Sequence, residues 1–374
     1  MGIFLAANVR TSKLILIGIV LAFLSGCGAE FRKFWNDPSN KPDGIGQSHQ
    51  GATVRFLGVS SFLIKDGDAT IMIDGYLSRP DNFLFKRIAP APARIKKTLC
   101  AMDVQLSEGC DGSTSAKDNL DAVFVMHGHF DHAMDSPFIA CVTGATLVGG
   151  PVVNQIADRT KRFLPDSCGQ ISYEPLDEES KQFTFDDYHP ILVTLVTVPH
   201  SDNLGSKILE NAMADPDWTF PARVTQMKLG VSVAAHLKLR QGSILIVPTA
   251  GDISGKLDAK RFETDTIFLG VGALGFTCKE KAREYWKNTV LATKAKWVVP
   301  IHWDSFTGSL VSETGPFDPE AVVTLESPFY EKLDRVLSWF QEFAAESQDV
   351  TLRPVPVLKP FDPFFQTRPI KPGQ

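Results

Sequence analysis

Apolar and polar positions divide the chain into short strands, two clear amphipathic helices and several long irregular connections. Residues 53–57, 62–65 and 69–73 are apolar or alternating runs. Gly58-Val-Ser-Ser separates the first two, and the turn pair Asp66-Gly67 precedes the third. They predict a β-meander ending on Asp74. Residues 121–126 form a β-branched run that reads as a buried strand and breaks at Gly128. A short helix over 136–141 closed by Gly144, a strand over 145–148 and a helix over 151–159 opened by Pro151 follow. Further strands are predicted over 191–198, 230–239, 243–247 and 297–301. Helices are predicted over 279–293 and 327–346, the latter opened by Ser327-Pro328. Segments 76–117 and 201–224 show no clear strand alternation, and the first, long for a connection, is expected to fold over the sheet. This order suits a layered α/β sandwich.

The amino terminus follows another pattern. Arg10 and Lys13 precede an apolar run over residues 14–24, which is short for a membrane span and has the form of a secretory signal. Leu24-Ser25-Gly26-Cys27 resembles the bacterial lipobox, which implies cleavage before Cys27 and lipidation of that cysteine. A simple signal peptide and an uncleaved anchor are the alternatives. Residues 1–26 are thus expected to be a lipoprotein signal and 27–50 a flexible tether rich in Asn, Pro, Gly and Gln. Residues 51–374 are expected to form one domain with a Pro-rich tail. The lipobox resemblance implies a cell-envelope location with a membrane partner through Cys27. Gly28, rather than Asp, implies the outer membrane where the host has one.

Composition narrows the partners. A formal net charge of −5 and a pI near 5.9 give no hint of nucleic-acid binding, which normally shows a basic face, so no nucleic-acid partner is expected. Beyond Cys27 the cysteines are Cys100, Cys110, Cys141, Cys168 and Cys278. An oxidising envelope permits disulfides. Cys100–Cys110 is a plausible staple, the odd number leaves at least one thiol free, and the remaining pairing is open. The absence of a CxxC pair argues against a cysteine–zinc cluster.

The stretch His127-Gly-His129-Phe-Asp131-His132 concentrates three of the eight histidines in six residues. In extended backbone, residues two apart project to one side, so His127 and His129 can grip one cation together. Asp131 and His132 are adjacent and diverge, toward a second metal or away from the first. Nitrogen and oxygen donors of this kind suit zinc and similar ions. His200, Asp252 and His302 each lie just beyond an apolar strand, where a rigid sheet can converge side chains. Each is a weak signal taken singly. His49, His189 and His236 are read as structural or surface residues.

Taken in order, Asp74, His127-x-His129-x-Asp131-His132, His200, Asp252 and His302 resemble the motifs of the metallo-β-lactamase superfamily, from about Val54 to beyond His302. The resemblance implies an α/β fold, a four-layer αββα sandwich with a dinuclear site along one edge of the paired sheets. It implies that His127, His129 and His200 bind a first metal, that Asp131, His132 and His302 bind a second, and that Asp252 bridges them. Asp74 would orient a ligand rather than bind directly. Two divalent ions, zinc by default with iron or manganese acceptable to the same donors, would supply hydroxide from a shared water and polarise the substrate. Asp131 could help orient that hydroxide or accept its proton.

Substrate class is set by departures within the resemblance. Authentic β-lactamases typically carry Cys or Ser at the bridging position, whereas Asp252 keeps the carboxylate found in lactonases, phosphodiesterases, phospholipase D-type enzymes and glyoxalase II-type thioesterases. The run Phe56-Leu-Gly-Val-Ser-Ser-Phe-Leu63 with Ile71-Met-Ile-Asp74 resembles the branch of N-acyl-phosphatidylethanolamine phospholipase D and ascorbate-6-phosphate lactonases. That branch often has His where this chain has Val59. The expected function is an envelope-anchored metal-dependent hydrolase of an ester, lactone or phosphodiester in a small-molecule or lipid-like substrate. The alternatives are weak β-lactamase activity and a metal-stabilised envelope binding protein without turnover. Segments 76–117 and 201–224, with Trp303, Asp304 and Phe306, are the candidates to face substrate.

Overall fold

The computed structural model describes residues 28–41, 51–81, 83, 85–110, 119–176, 180–185, 191–201, 217–311, 332–347 and 349–365. Cys27, His49, His189 and the Ser327-Pro328 helix start lie outside the described residues.

Fourteen strands are described: β1 Thr53–Phe56, β2 Phe62–Asp66, β3 Ala69–Ile73, β4 Ala122–Phe124, β5 Thr146–Gly149, β6 Tyr173–Pro175, β7 Ser180–Phe185, β8 Ile191–Thr197, β9 Val233–Leu239, β10 Gly242–Val247, β11 Thr266–Gly270, β12 Trp297–Ile301, β13 Thr351–Leu352 and β14 Pro360–Phe361. They form two seven-stranded sheets, β14-β1-β2-β3-β4-β5-β6 and β13-β12-β11-β10-β9-β8-β7. The first is parallel from β3 to β6, and the second is parallel from β10 to β13.

Alternation along the strands explains the layering. On β2, Phe62 and Ile64 enter the core between the sheets while Leu63 faces the outer core. Ile71 and Ile73 oppose Met72 on β3, and Ala122 and Phe124 oppose Val123 on β4, in the same way. Both faces of each sheet are therefore apolar and need a cover. Helices Pro92–Ala101, Ser136–Thr143 and Pro151–Thr160 put Ile95, Ile139 and Ile156 on the outer face of the first sheet. Helices Lys279–Trp286 and Leu333–Glu346 cover the second, with Trp286 and Phe340 in ring contact at 5.1 Å. The result is the four-layer αββα sandwich that the resemblance implies.

Several expectations change. The tether expected over 27–50 is in part a helix, Ala29–Asn36, whose Phe31 and Trp35 are buried. Trp35 lies 4.3 Å from Trp303 between ring centroids, and Phe31 lies 5.4 Å from it. Burying two large aromatics, roughly 1.5–3 kcal/mol each, outweighs the polar composition around them. Of the two forms open to the Pro-rich tail after Leu352, a strap or an exposed extension, it takes the strap: β14 adds to the first sheet, and Phe361 and Phe364 are buried. The second amphipathic helix is described from Leu333, and the first ends as a π-turn over Lys287–Leu291. The parallel strand β11 has no counterpart among the expected elements.

Cys100–Cys110 is bonded as expected, Cys141 pairs with Cys168, and Cys278 is free and exposed. Residues 111–117 and 202–216 of the candidate substrate-facing segments lie outside the described residues; in the described parts, Ile88 and Ala222 exchange two backbone hydrogen bonds of 2.7 and 2.8 Å. Among the described residues no helix is long and apolar enough to cross a membrane.

Candidate metal centre

The candidate ligands lie in loops that leave the carboxyl ends of β4, β8 and β12. The HxHxDH loop packs against the segment that leads into β9, where Gly128 N donates to Leu229 O at 2.7 Å. A Cβ at Gly128 would lie 2.2 Å from the Lys228 carbonyl, so this turn admits only glycine without backbone movement. Helix Phe130–Ala133 then begins at once and carries Asp131 and His132 inward, both buried.

Two trios result. Donor atoms of His127, His129 and His200 lie within 4.8 Å of one another, as do those of Asp131, His132 and His302. In the first trio His127 Nε2 is 3.2 Å from His129 Nδ1. The His200 ring is held through Nδ1 by the Ser201 carbonyl at 3.2 Å, which leaves Nε2 free to face the trio. In the second, Asp131 Oδ2 is 3.4 Å from His132 Nε2 and 3.3 Å from His302 Nε2. Two ligand atoms on one tetrahedral zinc lie roughly 3.3 Å apart. The buried nitrogens His127 Nδ1, His129 Nε2 and His132 Nε2 have no hydrogen-bond partner among the described residues. A buried polar atom left unpaired is costly, and at His132 Nε2 an ion shared with Asp131 would remove that cost. Donor set, spacing and unpaired nitrogen all fit divalent cations.

Protonation follows the same geometry. Burial, then the neighbouring rings, holds His127 well below its usual value, His129 down to about 3 and His200 down to about 4, so these imidazoles are neutral. For Asp131, burial pulls upward but is outweighed by His132 and His302, leaving the carboxylate well below its ordinary range. For His132, burial pulls downward but is outweighed by Asp74 and Asp131, which raise it to about 10.

Asp74 takes the place expected of an orienting group. Its Oδ2 lies 2.7 Å from His132 Nδ1, its Oδ1 accepts from Met126 N at 2.8 Å, and Ser60 Oγ donates to Oδ2 at 2.6 Å. It occupies a left-handed backbone conformation, φ 57°, as do Val59 at 54° and His302 at 60°. Such positions cost about 1–3 kcal/mol each unless the surroundings hold them. Here His302 N donates to Val59 O at 2.7 Å, and Val59 N donates to Asp304 Oδ1 at 2.6 Å. Asp304 Oδ2 in turn pairs with Arg79 Nη2 at 2.6 Å, both side chains fully buried.

Asp252, expected to bridge the trios, belongs to neither. It is exposed, and its Oδ1 accepts from the backbone N and hydroxyl of Ser254 at 3.1 and 2.5 Å. Its neighbour Gly251 packs on the Pro199-His200 backbone, with its Cβ position 1.9 Å from the Pro199 carbonyl oxygen. The Ser254 turn offers the carboxylate two donors and holds it out of the site. Trp303 and Asp304 do not face substrate either, being buried under Phe31 and Trp35 and against Arg79 respectively. Phe306 is half-buried, with its ring edge-on to His302 at 5.6 Å. Arg79 and Ser60 were not among the expected site residues, since nothing in Tyr76-Leu-Ser-Arg79-Pro marks a buried guanidinium.

The sequence matches no protein-family model and no curated protein. Among solved structures it is similar to Igni18, a novel metallo hydrolase from the archaeon Ignicoccus hospitalis, at 16% identity and TM-score 0.44, covering 83% of this chain and 98% of that one. It is also similar to yeast PDE1 at 10% identity and TM-score 0.45, covering 83% and 99%. A third is an isothiocyanate hydrolase from Delia radicum gut bacteria at 12% identity and TM-score 0.43, covering 82% and 98%.

Proposed function

We propose that the chain is an envelope-anchored, metal-dependent hydrolase that cleaves an ester, lactone or phosphodiester bond at a dinuclear centre. The observation that carries this reading is the pair of adjacent trios, His127, His129, His200 and Asp131, His132, His302, each with converging donor atoms. The two trios would each hold a divalent cation, zinc by default. When bound, a pair of such ions supplies Lewis acidity toward a substrate oxygen and an acidified water at neutral pH.

The chain's own residues divide the remaining work. His127, His129 and His200 bind as neutral rings, as metal ligation requires. Asp74 fixes the His132 ring and directs its Nε2 toward Asp131. Asp131 is ionised and is the residue placed to orient an attacking water or take its proton. Asp252, whose neighbour Gly251 packs against the Pro199-His200 backbone, would join the ligands only by giving up its bonds to Ser254. The resemblance of Phe56-Leu-Gly-Val-Ser-Ser-Phe-Leu63 and Ile71-Met-Ile-Asp74 to the branch of N-acyl-phosphatidylethanolamine phospholipase D and ascorbate-6-phosphate lactonases supports this substrate range. Two disulfides support an oxidising compartment, consistent with acylation of Cys27.

The test is to quantify metal in purified protein and assay phosphodiesters, lactones, thioesters and a chromogenic cephalosporin. Metal-dependent turnover of one class, abolished in a folded His132→Ala variant, supports the reading. Full activity in that variant contradicts it. Metal-loaded protein inert toward a panel that includes lipid esters would instead favour a binding protein.

A further inference from the structure

Three large apolar side chains stand exposed among the described residues: Phe85 at 92%, Phe276 at 52% and Leu291 at 43%. Scattered apolar residues are ordinary on a protein surface, but two of these share one end of the sandwich. Phe85 lies in the connection that leaves the carboxyl end of β3, two residues beyond Phe83. Phe83 stacks on Phe130 at 5.1 Å and meets Phe306 at 5.7 Å, and Phe130 sits between His129 and Asp131. Phe276 follows the carboxyl end of β11 in the loop whose Gly272 position lies 2.9 Å from the His302 ring. Leu291 precedes the amino end of β12, at the opposite end of the second sheet.

Charge and chain path point the same way. Lys86 and Arg87 are exposed beside Phe85, and Asp81 is the only acidic residue of residues 75–91. Lys332 Nζ stands 5.7 Å from the Phe276 ring. The amide of Gly28 is held at 2.9 Å by Asp334, next to Arg335, which bonds the Gly275 carbonyl at 3.3 Å. Gly28, which follows Cys27 in sequence, therefore lies at this same end. The docked helix Ala29–Asn36 leaves no flexible tether immediately after Gly28.

We propose that the metal-centre end of the sandwich docks on an anionic phospholipid bilayer, with Phe85 entering the interface and Lys86 and Arg87 meeting lipid phosphates. An exposed aromatic flanked by basic side chains is suited to this boundary, where the ring leaves water while the charges stay in it. The inference rests on the anchoring part of the proposed function and adds an orientation to it: the metal centre faces the membrane.

The experiment uses the full chain with vesicles of phosphatidylcholine and phosphatidylglycerol, with or without brominated acyl chains. Phe85→Trp and Leu291→Trp variants are compared, each read against the six native tryptophans of the wild type. Docking predicts co-sedimentation and bromolipid quenching of the added indole in Phe85→Trp at least twofold above that in Leu291→Trp. Adding Lys86→Ser and Arg87→Ser to Phe85→Trp should reduce that quenching, since each basic side chain near an anionic surface weighs roughly fivefold in binding. Co-sedimentation with no extra quenching in Phe85→Trp, or equal quenching in Leu291→Trp, overturns the orientation alone. A chain left in the supernatant overturns both orientation and anchoring. Neither readout depends on metal or turnover, so failure here is distinct from failure of the hydrolase reading.

Discussion

Asp74 Oδ2 lies 2.7 Å from His132 Nδ1, and both side chains are fully buried. The carboxylate thereby decides which ring nitrogen faces Asp131. Replacing Asp74 with Asn preserves size and removes the charge that orients the ring. Loss of such a partner typically costs about 10–100-fold in metal affinity. Competition with a chromophoric chelator should show that loss for Asp74→Asn, and an unchanged affinity would remove Asp74 from this role.

The Arg79–Asp304 pair makes a stability prediction. Asp304 accepts from both Arg79 and Val59 N, and Val59 O receives His302 N. Asp304→Ala would leave a fully buried guanidinium without its carboxylate, a change that typically destabilises by about 3–5 kcal/mol. Urea unfolding of the metal-free variant measures this directly, and a loss below about 1 kcal/mol would show that the pair is not sealed from water.

Asp135 predicts a pH dependence. Burial pushes its carboxyl from 3.8 up to about 6, against hydrogen bonds from Ser78 and Leu77 that hold it down. The folded state thus retains this proton longer than the unfolded chain does. The residue's contribution is neutral below pH 3.8, becomes increasingly unfavourable as pH rises from 3.8 to about 6, and is complete above that. The full effect is about 3 kcal/mol. Asp135→Asn cannot titrate, so its stability relative to wild type should improve by about that amount between pH 3.8 and 7. A pH-independent difference between the two proteins would contradict the shift.

Asp252 offers the opposite case. Its carboxylate is exposed and, among the described residues, is bonded only within its own turn, to Ser254. Folding stability of metal-free Asp252→Ala should stay within about 0.5 kcal/mol of wild type. A loss above 2 kcal/mol in urea unfolding would mean that the side chain is anchored inside the site even before metal arrives.

Much of the site was legible because its ligands sit beside strong strand signals. Residues 121–126 and 191–198 mark β4 and β8, so the histidines after them could be assigned to strand ends, and the two trios group as the resemblance implies. The docked helix Ala29–Asn36 was not legible, because its burial rests on Phe31 and Trp35, four residues apart in a polar stretch, with Phe34 partly buried beside them. Strand β11 is five residues of fully buried parallel sheet, too short to show a period. The paired guanidinium of Arg79 and the turn that holds Asp252 depend on contacts distant in sequence or on a rotamer, and neither leaves a pattern along the chain.

The most direct measurement is the metal content of the folded protein after reconstitution with zinc and removal of excess. About two ions per chain are predicted, with His129→Ala and His132→Ala each retaining about one. A wild-type chain that is folded yet holds one ion or none would contradict the dinuclear centre.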